Sequence, residues 1–352
     1  MKSLIYGYGI TGKSIERYLI RNNIDYQIFD DNKDLYTSDY FTNDLKNNWD
    51  VIYCSPGISK EDFKKLQSIA SKEVLTDIDI FLQEDTSIKI GITGTNRKST
   101  TCFHLYQLLS KNYSVNLIGN IGEPVLDYIN SGVDFSVIEL SSQQLDKFKE
   151  NKLDYGVLLN IAPDHIDYHG SFDEYKYAKE RILDAKEISY ENNPFELFKW
   201  ITGKDAEPSD LKNLPFRFEM ITESIINDSK STNMHSLDYA IDKANIYFKG
   251  SKYHLIICGN PVKEGFNNFH PEGPDTIFIF GSHVDEINNC IIHSNKQLFK
   301  NLDDVLIHIL NNYESQNILF SPGYPSGDDF KNFEERGEYF NKLTQEILLY
   351  DL

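Results

Sequence analysis

Four stretches of this chain carry side chains at spacings suited to chemistry. In the first, Gly91-Ile-Thr-Gly-Thr-Asn-Arg-Lys-Ser-Thr-Thr101, an apolar strand runs into a polar loop and then a helix with apolar Phe103, Leu105, Leu108 and Leu109. Backbone N–H groups of such a loop cradle phosphates, a lysine at position 98 bridges the β- and γ-phosphates, and the Ser99 hydroxyl suits magnesium. Two positions depart from the usual spacing: Ile92 stands where a first glycine would sit, and Arg97 where the glycine before the lysine is expected.

The second is Gly7-x-Gly9-x-x-Gly12, after a strand and opening a helix, with Asp30 ending the next strand. Alone it reads either as a diphosphate-binding turn with an acid for a ribose hydroxyl, or as glycine packing in a doubly wound domain. The third pairs Glu139-Leu-Ser141-Ser142 with Asp164-His165-x-Asp167-x-His169, each at a strand's C-terminal end, where ligands bind in open parallel sheets. Together these groups suit a metal; the competing reading is a solvated, charged loop. The fourth is Lys179, on the face shared by Phe172, Tyr175, Ile182 and Leu183 of a helix that Ser171 and Glu174 start as a capping box. A buried lysine resists protonation, and its neutral amine can take up CO2 as a carbamate; the alternative is a side chain that snorkels to water.

These residues need elements to hold them. Apolar runs at Ser3–Tyr6, Tyr26–Phe29, Val51–Cys54, Lys89–Thr93, Phe135–Leu140, Tyr155–Asn160, Leu255–Cys258, Thr276–Phe280 and Asn317–Ser321 alternate with amphipathic stretches. That pattern predicts an α/β protein with parallel sheets. Polar punctuation at Glu84–Ser87 and Gly203–Pro215 predicts two linkers, hence three domains: 1–87, 88–213 and 214–352.

The formal charge of −19 argues against nucleic-acid partners, and no apolar run reaches the ~20 residues of a membrane span. A cytoplasmic protein is expected. Cys54, Cys102, Cys258 and Cys290 lie far apart without a CxxC pair, so reduced, mostly buried thiols are expected.

The stretches Gly94-Thr-Asn-Arg-Lys-Ser-Thr100, Ile138-Glu-Leu-Ser-Ser-Gln-Gln-Leu145, Asn160-Ile-Ala-Pro-Asp-His-Ile-Asp167 and Tyr177-Ala-Lys-Glu-Arg-Ile182 resemble the central signatures of the Mur ligases of peptidoglycan synthesis. Asn120-Ile-Gly122, Asp228-Ser-Lys-Ser-Thr-Asn233 and Lys331-Asn-Phe-Glu-Glu-Arg-Gly337 are similar to the D-glutamate-adding branch. The resemblance implies a Rossmann-like N-terminal domain, a P-loop-type ATPase central domain and a Rossmann-like C-terminal domain. It further implies ATP-dependent joining of D-glutamate to UDP-N-acetylmuramoyl-L-alanine through an acyl phosphate, by a monomer.

Carried over residue by residue, Gly9, Ile10, Thr11, Asp30, Asn120 and Ser141 would face the UDP-sugar. Gly94, Thr95, Asn96, Arg97, Lys98, Ser99, Thr100, Arg217 and Asp228 would face ATP. Two Mg2+ ions would sit on Ser99 with Glu139 and on His165 with a carbamylated Lys179. Thr232, Lys263, Ser326 and Phe333 would surround D-glutamate, with Lys230 near the phosphoryl group.

Lys179 and Arg217 stand much closer in sequence than in the family, whose longer run carries further strands and an asparagine for adenine. Phe216 also replaces a histidine. The shortening predicts a smaller central sheet with its edge covered by Phe195–Trp200, and adenine held on an aromatic face. It leaves two alternatives: a non-catalytic UDP-sugar-binding relative, or another amino-acid ligase of the superfamily.

Overall fold

The computed structural model describes residues 2–32, 34, 38–46, 48–261, 268–313 and 317–348. They form three α/β sheets. The first holds β1 (Ser3–Tyr6), β2 (Tyr26–Phe29), β3 (Trp49–Cys54) and β4 (Ala70–Thr76), all parallel in the order β2-β1-β3-β4. The second holds β5 (Ile88–Thr93), β6 (Val115–Gly119), β7 (Phe135–Glu139), β8 (Tyr155–Leu158) and β9 (Glu187–Ser189), parallel in the order β6-β7-β5-β8-β9.

The third sheet contains β10 (Glu219–Met220), β11 (Ile225–Asn227), β12 (His254–Cys258), β13 (Thr276–Phe280), β14 (Lys296–Phe299) and β15 (Ile318–Gly323). Its order is β10-β11-β15-β12-β13-β14, and β10 alone runs antiparallel to its neighbour. The expected strands are all present; β4, β6, β9, β10, β11 and β14 are additional.

Helices connect the strands: α1 (Ile10–Arg21), α2 (Lys60–Ile69), α3 (Asp77–Glu84), α4 (Lys98–Leu109), α5 (Ser142–Lys147), α6 (Ile166–His169), α7 (Phe172–Glu180) and α8 (Pro194–Thr202) serve the first two sheets. The third is served by α9 (Met234–Phe248), α10 (Val284–Cys290), α11 (Leu302–Asn312) and α12 (Phe333–Leu343). The chain divides into two compact units, Met1–Lys212 with the first two sheets and Asn213–Leu352 with the third.

Within the first unit, Ile5, Tyr18, Tyr53 and Phe81 share one apolar core with Leu126, Ile138, Leu145 and Phe148. The polar patch at Glu84–Ser87 lies packed beside this core. Asp85 and Ser87 are buried: Asp85 accepts from the Ser87 and Asn130 amides, and the Asp85 and Ser87 carbonyls accept from Lys89 Nζ. Polar residues that satisfy one another read as loop in sequence and pack as interior.

Helix α8 also departs from expectation. Asn193 caps it, Pro194 opens it, and its buried Leu197, Phe198 and Ile201 join Ile90, Ile92, Cys102 and Leu105 on the face of the second sheet beside α4. It covers a face, not the edge. The edge strand β9 is three residues long with Ile188 exposed, a length that limits pairing with other chains. The four cysteines are free, with Cys290 half-buried and the rest buried.

Candidate functional site

The second sheet places its chemistry at the C-terminal ends of β5, β7 and β8. Chain order jumps outward from central β5 on both sides there, which opens a crevice. After Thr93 the loop Gly94–Arg97 leads into α4. Gly94 is pressed against β8: a Cβ there would lie 3.1 Å from Leu159 Cβ and 3.3 Å from the Asn160 nitrogen.

Asn160 moulds this loop. Its carbonyl accepts from the Thr95 amide at 3.0 Å, its Oδ1 from the Asn96 amide at 2.9 Å, and its Nδ2 donates to the Asn96 carbonyl at 3.0 Å. Thr95 Oγ1 joins the Ala162 backbone and the Tyr175 hydroxyl. Arg97, where glycine was expected, adopts φ 67° and ψ 1°, a left-handed conformation that costs a non-glycine residue about 1–2 kcal/mol. Ser99 is buried in the first turn of α4, and Thr100 half-buried.

Lys98 Nζ donates to the Gly94 and Thr95 carbonyls, both at 2.9 Å. Lys179 is buried, lies over the Tyr175 ring at 5.0 Å, and donates to the same Gly94 carbonyl at 2.8 Å and to Thr93 Oγ1 at 3.3 Å. Burial, then the Lys98 charge, hold the Lys179 amine well below the usual lysine range, against the opposing pull of Asp164 and Glu139. This excludes the snorkelling alternative.

Glu139 ends β7 opposite Ile92 of β5. Its Oε1 accepts from Asn120 Nδ2 at 2.8 Å, while its Oε2 is buried without a protein partner. His165 opens α6 with φ 51°, its ring half exposed and its Nε2 3.7 Å from Asp164 Oδ2. Ser141 caps α5, its hydroxyl accepting from the Gln144 amide. Of the expected apolar face of α7, Tyr175 and Ile182 are buried, but Phe172 is exposed. Ser171 accepts from the Glu174 amide; only this half of the expected capping box is formed.

The first sheet carries a cavity of about 530 Å³ lined by Gly7, Gly9, Ile10, Thr11, Asp30 and the Ser55–Ser59 loop. Gly7 has φ +89°, and a Cβ on Gly12 would meet the Gly7 carbonyl oxygen at 2.1 Å, so both glycines are required by the turn. Asp30 accepts from the Tyr8 and Asn32 amides at 2.6 and 2.8 Å, which fixes its carboxylate at the rim.

In the second unit, Asp228 follows β11 and accepts from the Phe218 amide at 2.8 Å and Ser321 Oγ at 3.0 Å. Burial pushes its carboxyl up to about 7, against those bonds and the Lys243 and Arg217 charges. Asp228 thus also fixes the Phe216–Phe218 turn, where both phenylalanines have positive φ. The Phe216 ring leans on Gly337, where a Cβ would lie 2.3 Å from it. Lys230 Nζ sits 3.8 Å from the Phe333 ring centroid, so these two expected site residues are together. Ser326 is buried and Thr232 half-buried; Lys263 lies outside the described residues.

Sequence reasoning did not assign roles to Asn160, Thr93 or Arg336. The last is fully buried and donates to Ser229 and the Tyr324 carbonyl. An arginine inside a motif was the available signal.

The model for the Mur ligase middle domain matches residues 92–193, a span that holds the phosphate loop from Thr93 onward, Glu139, His165 and Lys179. The UDP-N-acetylmuramoylalanine–D-glutamate ligase of Buchnera aphidicola subsp. Schizaphis graminum is 30% identical over 437 aligned positions, covering 98% of each chain. That of Francisella philomiragia is 28% identical, covering 98% of this chain and 97% of its own. Since 437 aligned positions exceed the 352 residues here, the Buchnera relative has segments without counterpart in this chain.

Among solved structures, MurF ligase of Thermotoga maritima in complex with ADP aligns with a TM-score of 0.59 at 14% identity, over 98% of this chain and 95% of that one. A pseudomurein peptide ligase type C from Methanothermus fervidus aligns with a TM-score of 0.54 at 16% identity, over 98% and 99%. These likenesses bear out the multi-domain α/β fold. With the full-length similarity to the Buchnera enzyme, they lead to one assignment: the chain belongs to the UDP-N-acetylmuramoylalanine–D-glutamate ligase family of Mur ligases.

Proposed function

We propose that this chain joins D-glutamate to UDP-N-acetylmuramoyl-L-alanine at the expense of ATP, in peptidoglycan precursor synthesis. The observation that carries the reading is the Gly94 carbonyl shared by Lys98 and Lys179 beside Glu139, inside a family whose relatives carry this activity in their names. Residues 1–87 would hold the UDP-sugar in the cavity of the first sheet, 88–213 the nucleotide, and 214–352 the amino acid.

Lys98 and the loop amides would hold the β- and γ-phosphates of ATP while the γ-phosphoryl group passes to the substrate carboxylate, releasing ADP. The D-glutamate amine would attack the acyl phosphate and lose a proton, and phosphate would leave. By the family resemblance, Arg217 and Asp228 would serve the nucleotide, Lys230 the phosphoryl group, and Thr232, Lys263, Ser326 and Phe333 the amino acid.

Among the described residues no three His, Cys, Asp or Glu side chains gather as a metal site. The buried, unpartnered Glu139 Oε2 nonetheless fits Mg2+, which takes one or two protein carboxylates and completes its shell with phosphates and water. Bound there with Ser99, and on His165 with a carbamylated Lys179, it would neutralise charge building on the transferred phosphoryl group. The lowered pKa of Lys179 favours the neutral amine, the form that takes up CO2.

The ligase reading is favoured over a non-catalytic module because Lys98 and Lys179 share the Gly94 carbonyl and Glu139 is held by Asn120, although the central region is short. No described helix is long and apolar enough to cross a membrane. The substrates point to a cytoplasmic enzyme, and we take the monomer as the working unit. Phosphate release assayed with each substrate omitted in turn decides the matter. Release only with ATP, UDP-sugar and D-glutamate all present is expected; release with ATP alone, or no release with all three, refutes the reading.

A further inference from the structure

Outside the groups already assigned, one buried cation draws attention. Lys147, in the last turn of α5, is 3% exposed. Its ammonium donates to the Pro56 carbonyl at 2.7 Å and to the Tyr168 hydroxyl at 2.5 Å, and stands 4.7 Å from the Tyr168 ring centroid. Pro56 belongs to the loop that rims the cavity of the first sheet. Tyr168 belongs to α6, the short helix that His165 opens.

Burying an ammonium costs several kcal/mol unless its partners compensate. Here they are a carbonyl and a phenol, with Asp146 alongside through Tyr168. Burial lowers Lys147 to about 8, against Cys54 and Asp146, so it remains largely charged at neutral pH. An apolar side chain would fill the space at less cost, so the cation is there for what it joins.

The neighbourhood repeats the connection. Lys60, just after the rim loop, lies 3.5 Å from Asp146 of α5 and 3.6 Å from Glu174 of α7. His169 of α6 packs edge-on against Tyr168 and meets Ser142 Oγ of α5 at 3.0 Å. The rim, the helix after Glu139 and the turn bearing His165 therefore meet at one side chain.

We infer that Lys147 is a positioning residue that ties the Ser55–Ser59 rim to the His165 turn, so that a sugar nucleotide seated in the first-sheet cavity sets the geometry of the His165 turn at the end of the second sheet. This rests on the ligase reading above. It assigns Lys147 no contact with any substrate.

Two variants test it, Lys147→Met and Tyr168→Phe. The methionine cuts both arms: the KM for the UDP-sugar should rise about tenfold and kcat fall about tenfold, with the KM for ATP unchanged. The phenylalanine removes only the hydroxyl on α6: kcat should fall about threefold while the UDP-sugar KM holds. Calorimetry with UDP-N-acetylmuramoyl-L-alanine alone should show binding to Lys147→Met weakened about tenfold, a readout independent of turnover.

A merely structural lysine would lower the melting temperature and leave kcat and the UDP-sugar KM of the folded fraction intact, and that result overturns the inference. Unaltered calorimetric binding in Lys147→Met overturns it as well. If the wild-type protein binds the UDP-sugar but releases no phosphate, the ligase reading fails alone, and the calorimetric comparison still decides for or against Lys147.

Discussion

Replacing Lys179 by methionine should remove the reaction and leave the fold. Lys98 Nζ and Lys179 Nζ lie 2.9 and 2.8 Å from one Gly94 oxygen. They can therefore be no more than about 5.7 Å apart, where two unit charges repel by about 3 kcal/mol at an effective dielectric of 20. That repulsion, added to the larger effect of burial, lowers the Lys179 pKa and so favours its neutral form, and the fold gives up little when methionine fills the same space. Addition of CO2 to the neutral amine forms an N–C bond and releases a proton. The resulting anion, unlike the neutral amine, is attracted by Lys98, by about the same 3 kcal/mol at a similar separation.

If only this about 3 kcal/mol is lost from charge stabilisation at the phosphoryl group, phosphate release falls by about 10²-fold or more. The assay is release with all three substrates in CO2-depleted buffer, with and without bicarbonate, for wild type and Lys179→Met. Bicarbonate should restore the wild type and leave the variant inactive. In wild type incubated with ¹³C-bicarbonate, NMR should show a carbamate carbon that the variant lacks. An active Lys179→Met protein, or a wild type indifferent to CO2, would refute the reasoning.

Three further outcomes are expected. Asn160→Ala removes two side-chain bonds to Asn96 and should raise the KM for ATP about tenfold, since each neutral bond is worth about 1 kcal/mol; an unchanged KM would show that the backbone bonds suffice. Asp77 is buried, its Oδ1 has no partner, and burial pushes its carboxyl up to about 7. Below about pH 3 the group is protonated whether the chain is folded or not. As pH rises to 7 the unfolded chain ionises first, so stability falls, by up to about 4 kcal/mol. Asp77→Asn should flatten that decline in urea titrations followed by fluorescence, because Trp49 and Trp200, the two tryptophans, both lie in the first unit. Gly337→Ala would drive a methyl into the Phe216 ring and should cost the second unit about 1–3 kcal/mol, read by far-ultraviolet ellipticity, with UDP binding unaffected.

The strands of all three sheets were legible where they were buried on both faces, as at Thr276–Phe280 and Phe135–Glu139, because burial on both sides leaves a mostly apolar run. β14, with Lys296 and Gln297, and β9, with two exposed residues, carry no such run. The phosphate loop, Glu139 and Lys179 were legible from residue type at strand ends. Asn160 was visible as part of a motif, but its grip on Asn96 depends on β8 lying beside β5, a pairing that no local pattern encodes. The burial of the Asp85–Ser87 turn was hidden for the opposite reason: composition registers polarity and is blind to polar groups that satisfy one another in the interior.

The shared core of the first unit has a consequence for engineering. Tyr18 and Phe81 pack in one cluster with Leu126 and Phe148 across two sheets, so no cut near residue 87 leaves either half with a closed interior. A chimaera exchanging residues 1–87 with a homologue would import half a jigsaw. The natural unit of transplantation is residues 1–212, taken whole.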